Sequence, residues 1–128
     1  MIIDTSAIVA ILFREPEYER LVDLLVLDPR PAVSTATLTE TGIVLSARLK
    51  EDARGLLARF LREAGIDVVP FGESHYSAAV DAWLRFGKGR HPAALNFGDC
   101  LSYATAGLAG EKLLCVGEDF SKTDLELA

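Results

Sequence analysis

The chain has 128 residues, half of them hydrophobic and a quarter charged, with a formal net charge of −6. That length suits one domain with a real core, and the composition argues against disorder. The negative balance argues against nucleic-acid binding through bulk positive charge, but leaves room for a local basic patch or for metal ions that supply the charge.

No apolar run reaches the ~18 residues that a membrane span needs. The opening MIIDTSAIVAILF lacks a basic leader region and is interrupted by Asp4, so it does not read as a signal peptide. The expectation is a cytoplasmic protein with no membrane contact. Cys100 and Cys115 are far apart and form no CxxC, which reads as two reduced core thiols.

Met1 to Ile3 read as a short buried strand that ends in Asp4. A helix is expected from Ser6, whose hydroxyl can cap free amides. Pro16 suits the first turn of a second helix, EPEYERLVDLLVLD, with Leu21, Leu24, Leu25 and Asp28 on one face. PAVS (31–34) reads as a second strand. TATLTETGIVLSARL (35–49) reads as a helix that Gly42 weakens by about 1 kcal/mol relative to alanine. DARGLLARFLREAG has apolar residues at helical spacing and a stop at Gly65. IDVVPF is a third strand. ESHYSAAVDAWLRFG is the best amphipathic helix, with Tyr76, Ala79, Val80, Trp83 and Leu84 on one face. The loop GKGRHPAALNFGD is the most basic stretch. The helix DCLSYATAGLA follows and stops at Gly110, and KLLCVG is a fourth strand.

Strands alternating with helices predict an α/β fold: a central parallel sheet of four to five strands covered by helices on both faces, a three-layer sandwich. Ligands of such sheets bind beyond the carboxyl ends of the strands. Asp4 lies there by construction. Glu40 lies on the helix after the second strand, Asp119 within a turn of the fourth, and Asp99 opens the helix leading into it. Two unit charges 4 Å apart repel by about 4 kcal/mol at an effective dielectric of 20, so a cluster of four acids needs protons or cations. Oxygen ligands without His or Cys suit Mg²⁺ or Mn²⁺, and the matching chemistry is metal-assisted phosphodiester hydrolysis.

Each acid except the first also has a local explanation. Thr37-x-x-Glu40 and Asn96-x-x-Asp99 both fit capping boxes, and Asp119 fits a turn. Asp4, beside Ile2, Ile3, Ala7 and Ile8, needs a partner because a buried charge is expensive. His75 and His91 read as surface groups. No P-loop, GxSxG or HExxH is present.

The stretches MIIDTSAIVAIL, STATLTE, RFGKGRHPAALNFGDCLSYA and GEDFSKTD together resemble the PIN-domain ribonucleases of the VapC type, the toxins of toxin–antitoxin pairs, from Met1 to about Asp124. The resemblance implies a PIN-like fold over residues 1–128. It also implies that Asp4 and Asp99 hold the catalytic Mg²⁺ or Mn²⁺, that Glu40 is the third acid and Asp119 the fourth, and that Ser6 supports Asp4. Where that family often has Asn before Asp-Phe, this chain has Glu118. A homodimer, an RNA substrate and a cognate VapB-type antitoxin are implied in the same way. Arg85, just before the basic stretch, and Lys88 and Arg90 within it are candidate RNA contacts. A phosphoacceptor receiver domain is the main rival; it would want paired acids after the first strand and an Asp after the third, and this sequence offers neither.

Overall fold

The computed structural model describes residues 1–128. In chain order it contains β1 (Ile2–Ile3), α1 (Thr5–Leu12), α2 (Tyr18–Leu27), β2 (Ala32–Ser34), α3 (Thr35–Leu49), α4 (Arg54–Ala64), β3 (Asp67–Val69), α5 (Glu73–Phe86), α6 (Phe97–Ala109), β4 (Leu113–Leu114) and a short 3-10 turn at Phe120–Lys122. The four strands form one parallel sheet in the order β3-β2-β1-β4. A fifth position is filled only by a single pairing of Leu113 with Leu127 in the C-terminal tail.

The strands are two or three residues long, yet they separate two cores. Side chains alternate along a strand, so neighbours face opposite sides of the sheet. Ile3, Val33 and Leu114 join one core with Ala7, Ile8, Leu21, Leu25, Leu45, Leu57 and Leu61, drawn from α1 to α4. Ile2 and Leu113 join the other with Ala79, Ala82, Leu95, Leu101 and Ala104, from the α5–α6 side. This is the three-layer sandwich. The order 3-2-1-4 places a switch point at β1, where the chain leaves toward β2 on one side and β4 on the other; crevices for ligands open at such points.

Several local expectations are corrected. Asp4, not Ser6, caps α1: its carboxylate accepts the Ser6 N–H. Pro16 precedes α2, because Glu17 takes a left-handed conformation (φ 72°) and the helix starts only at Tyr18. The cap of α3 is Ser34, whose hydroxyl accepts the Thr37 N–H at 3.1 Å. Thr37 and Glu40 therefore lie inside the helix and form no capping box. α6 begins at Phe97, two residues before Asp99. Gly65 and Gly110 do stop their helices, with φ of 67° and 66°.

The largest correction concerns α5. An amphipathic helix is expected to turn its apolar face to the core, but of the five residues on that face only Ala79 is buried; Tyr76, Val80, Trp83 and Leu84 are exposed. The helix packs closely on α6 through its small residues, with Ala79 and Ala82 at the contact, so the hydrophobic stripe turns to solvent. His75 is half-buried, and its Nδ1 accepts the Gly72 N–H at 3.1 Å, closing the start of that helix. His91 is also half-buried: it accepts the Ala93 N–H and stands edge-on to Phe86. Cys100 and Cys115 are free thiols, pushed by burial up to about 11 and about 12. No helix is long and apolar enough to cross a membrane.

Candidate active site

Three acids from three elements share one cleft. Asp4 ends β1, Glu40 lies in the second turn of α3, and Asp99 in the first turn of α6; all three line a cavity of about 370 Å³ together with Thr5, Ser6, Glu15 and Val116. A larger concavity of about 970 Å³ runs between α3 and α4, but its charged members Asp52 and Arg54 bond each other, and it gathers no reactive groups. The smaller cleft, at the switch point of the sheet, is therefore the candidate site.

Asp4 is 4% exposed, and neither of its carboxylate oxygens is left without a partner. Its Oδ2 accepts the Ser6 N–H at 3.0 Å and the Ser6 hydroxyl at 2.6 Å, and its Oδ1 accepts the Ser102 hydroxyl at 2.5 Å. Ser6 in turn accepts the Val116 N–H at 3.0 Å, tying β1 to the segment after β4. Hydrogen bonds to an ionised group are the strong ones, and they hold this carboxylate in one orientation. Ser102 was not singled out in the sequence. Its signal was there: it lies three residues after Asp99 on α6, on the same helix face.

Glu40 is fixed differently. Thr5 donates to its Oε1 at 2.6 Å, and Thr5 itself is held by Thr41 at 2.9 Å. Its carboxylate also lies against Gly98. A Cβ at position 98 would stand 1.8 Å from Glu40 Oε2, so only glycine leaves the Glu40 carboxylate where it lies. The hydroxyls of Thr5, Ser34, Thr37, Thr41 and Ser102 are all buried beneath the acids. They form a polar floor that links the two anchored carboxylates, with Thr37 and Ser102 meeting at 3.3 Å.

Asp99 has the local role its spacing predicted. It completes the capping box with Asn96, its N–H donating to Asn96 at 2.8 Å and its Oδ2 accepting the Asn96 N–H at 3.0 Å. Its other oxygen has no partner within the protein and is left for the cleft. Burial pushes its carboxyl up to about 6, with the charges of Asp4, Asp119 and Glu40 adding to the effect, against the Asn96 N–H that lowers it. Desolvation and like charge both disfavour the anion. Asp119 thus acts on Asp99 electrostatically, but it is exposed, in the bend before the 3-10 turn. Glu118 beside it is exposed, and its backbone carbonyl accepts the Ser121 hydroxyl at 2.6 Å. Glu15, a further acid of the cleft wall, was missed; it lies beyond α1 and is 3.8 Å from Arg48.

The basic candidates stand outside the cleft. Arg85 donates to Asp124 at 3.0 Å and to the Tyr103 hydroxyl at 3.3 Å, and Tyr103 donates to Asp124 at 2.5 Å. That triangle clamps the C-terminal tail to α5 and α6. Arg90 donates to the Leu84 carbonyl and lies over the Trp83 ring. Lys88 is exposed on the loop before α6.

No three acids are close enough to form a ready-made metal cage. Mg²⁺ does not require one, since it binds through one or two carboxylates and keeps several waters. An oxygen-only donor set with two rigidly held carboxylates and one poised near pH 6 fits such an ion.

The profile of the PIN domain matches residues 1–126. Ribonuclease VapC36 of Mycobacterium tuberculosis is 47% identical over 127 residues, covering 98% of this chain and 91% of that protein. Ribonuclease VapC of Mycolicibacterium smegmatis is 45% identical over 125 residues, covering 98% and 97%. This chain belongs to the PIN-domain family, in its VapC branch. The PIN fold is seen again in the crystal structure of Mycobacterium tuberculosis VapC20, with a TM-score of 0.77 at 20% identity over 99% of this chain and 97% of that one. A toxin–antitoxin complex from Klebsiella pneumoniae also superposes, with a TM-score of 0.72 at 16% identity over 99% and 95%.

Proposed function

We propose that this PIN domain, spanning residues 1–128, is a cytoplasmic, metal-dependent endoribonuclease toxin that hydrolyses RNA phosphodiester bonds. The observation that carries the reading is the convergence of Asp4, Glu40 and Asp99 in one cleft at the switch point of the sheet. The VapC relatives, named ribonucleases, point the same way.

Asp4 and Asp99 would hold Mg²⁺ or Mn²⁺, with Glu40 beside them and Asp119 completing the acidic cluster from the exposed bend. A divalent ion there supplies the positive charge that phosphodiester hydrolysis draws on at the phosphoryl oxygens and the attacking water. The protein's own part is positional. Ser6 and Ser102 hold the Asp4 carboxylate in one orientation. Thr5 and Gly98 set where the Glu40 carboxylate sits, and hence where a water can be oriented on that side of the scissile phosphate. The Asn96 N–H orients Asp99, leaving one oxygen toward the cleft. A cognate VapB-type antitoxin and a homodimeric state belong to the same proposal, on the strength of the family relationship.

Asp4→Asn tests the reading. Asparagine retains the helix cap but removes the charge. The variant is expected to fold, and to lose RNA cleavage in Mg²⁺ together with the Mg²⁺-induced rise in melting temperature. Cleavage at the wild-type rate, or cleavage by the wild type in excess chelator, would reject the assignment.

A further inference from the structure

Phe97 is 80% exposed, more than any other aromatic side chain of the protein. Its setting makes this unusual. It opens α6, in which Gly98 and every residue from Cys100 to Ala106 are buried. No aromatic ring of the protein stacks on it. The fold gains little from the ring, and an apolar surface of that size in water is unfavourable.

The position of the ring relates it to the cleft. The next residue, Gly98, lies against the Glu40 carboxylate, and Asp99 lines the cavity itself. Helical side chains lean toward the N-terminal end of their helix. The Phe97 side chain therefore projects past the end of α6. That end faces the crevice, since α6 runs back along the sheet before feeding β4. Phe97 does not line the cleft itself; it stands at the helix end that borders it, one residue from Gly98 and two from Asp99.

The cleft lining holds carboxylates, two hydroxyls and three valines, but no aromatic ring and no guanidinium. It can take a phosphate through a cation, yet it offers a nucleobase nothing to stack on. Lys88, whose N–H donates to the Leu95 carbonyl at 3.0 Å, brings positive charge to the segment just before Phe97. An aromatic platform beside basic side chains is how single-stranded nucleic acid is seated without a sequence code.

We propose that Phe97 is the stacking platform for a nucleobase of single-stranded RNA next to the phosphate bound at the acidic cleft. This rests on the ribonuclease reading above. It makes Phe97 a substrate-binding residue that sets which unpaired segment enters the site, with no part in the bond-breaking step.

The test uses the full chain and a short single-stranded RNA carrying 2-aminopurine, whose fluorescence is quenched on stacking. Binding is measured with Ca²⁺ in place of Mg²⁺, and cleavage of the same RNA with Mg²⁺ or Mn²⁺. Base–aromatic stacking is worth about 1–3 kcal/mol, so Phe97→Ala should weaken binding by about tenfold or more and abolish the quenching. Phe97→Leu keeps an apolar side chain without a π face and should lose as much, while Phe97→Trp should bind within about twofold of wild type. The melting temperature should not move in any of the three. Wild-type affinity in Phe97→Ala or Phe97→Leu overturns the proposal, as does wild-type protein that fails to bind the RNA. The two readings separate cleanly. Phe97-dependent quenching without cleavage would sink the ribonuclease reading and leave the platform; cleavage with affinity indifferent to position 97 would do the reverse.

Discussion

Replacing Asp99 with asparagine should make the metal-free protein more stable, and only above about pH 5. The carboxyl of Asp99 is raised to about 6 from an ordinary value of 3.8, first by burial and then by the charges of Asp4, Asp119 and Glu40. The folded state therefore binds this proton more tightly than the unfolded state. Below both values the group is neutral in either state and costs nothing. Between them stability falls as pH rises, and above about 6 the full penalty is present. At 1.36 kcal/mol for each tenfold change in acidity, the ceiling is about 3 kcal/mol. The side chain is partly open to solvent, which screens it, and about 1 kcal/mol is the realistic share. Asparagine keeps an oxygen for the Asn96 N–H, so the capping box survives the change. Urea unfolding of wild type and Asp99→Asn in chelator, at pH 4 and pH 7.5, should show no difference at the lower pH. At the higher pH the variant should be ahead by about 1 kcal/mol, or about 3–5 °C in melting temperature. Adding Mg²⁺ should reverse the order. A ligand at a hundred times its dissociation constant stabilises by about 2.7 kcal/mol, and the variant forfeits most of that. A variant less stable than wild type at pH 7.5 in chelator, or a difference that does not change with pH, would refute the electrostatic reasoning.

Gly98→Ala would place a methyl group 1.8 Å from Glu40 Oε2, and the flexible end of that side chain can swing aside. The expected result is a stability loss of no more than about 1–2 kcal/mol with cleavage strongly reduced, read by thermal melting alongside an RNA cleavage assay. Tyr103→Phe removes the hydroxyl that donates to Asp124 and should cost about 1 kcal/mol, with faster hydrogen exchange confined to residues 120–128. Gly42→Ala should be stabilising by about 0.5–1 kcal/mol in chemical denaturation, since the new methyl would meet only Leu57 Cδ2 at an ordinary 3.8 Å.

The parts of the fold set by short-range chemistry were readable before any coordinates. Gly65 and Gly110 end helices because both sit at positive φ, and the alternation of strands and helices predicted the parallel sheet. Asp4 was readable as an acid in need of partners, because its apolar neighbours left no other account of it. What the sequence hid depends on contacts between distant segments. The apolar stripe of α5 has the period of a buried face, but α6 brings Ala79 and Ala82 inward and leaves the larger side chains in water. Glu40 fitted a local cap by spacing, and it took the approach of α6 through Gly98 to give its carboxylate another place. Ser102 and the buried threonines are small polar residues with no pattern of their own. Arg85 had the character of a nucleic-acid contact until Asp124 and Tyr103, remote in sequence, claimed it.

The brevity of β1 has a consequence for what the protein can tolerate. Ile2 fills one core, Ile3 the other, and the very next side chain is the acid. An extra residue between Ile3 and Asp4 would not merely lengthen a strand. It would either exchange the two isoleucines between the layers or turn the carboxylate away from its neighbours, so packing or reactivity would fail at one stroke. Substitutions at this edge can be gradual in effect, whereas changes of length cannot.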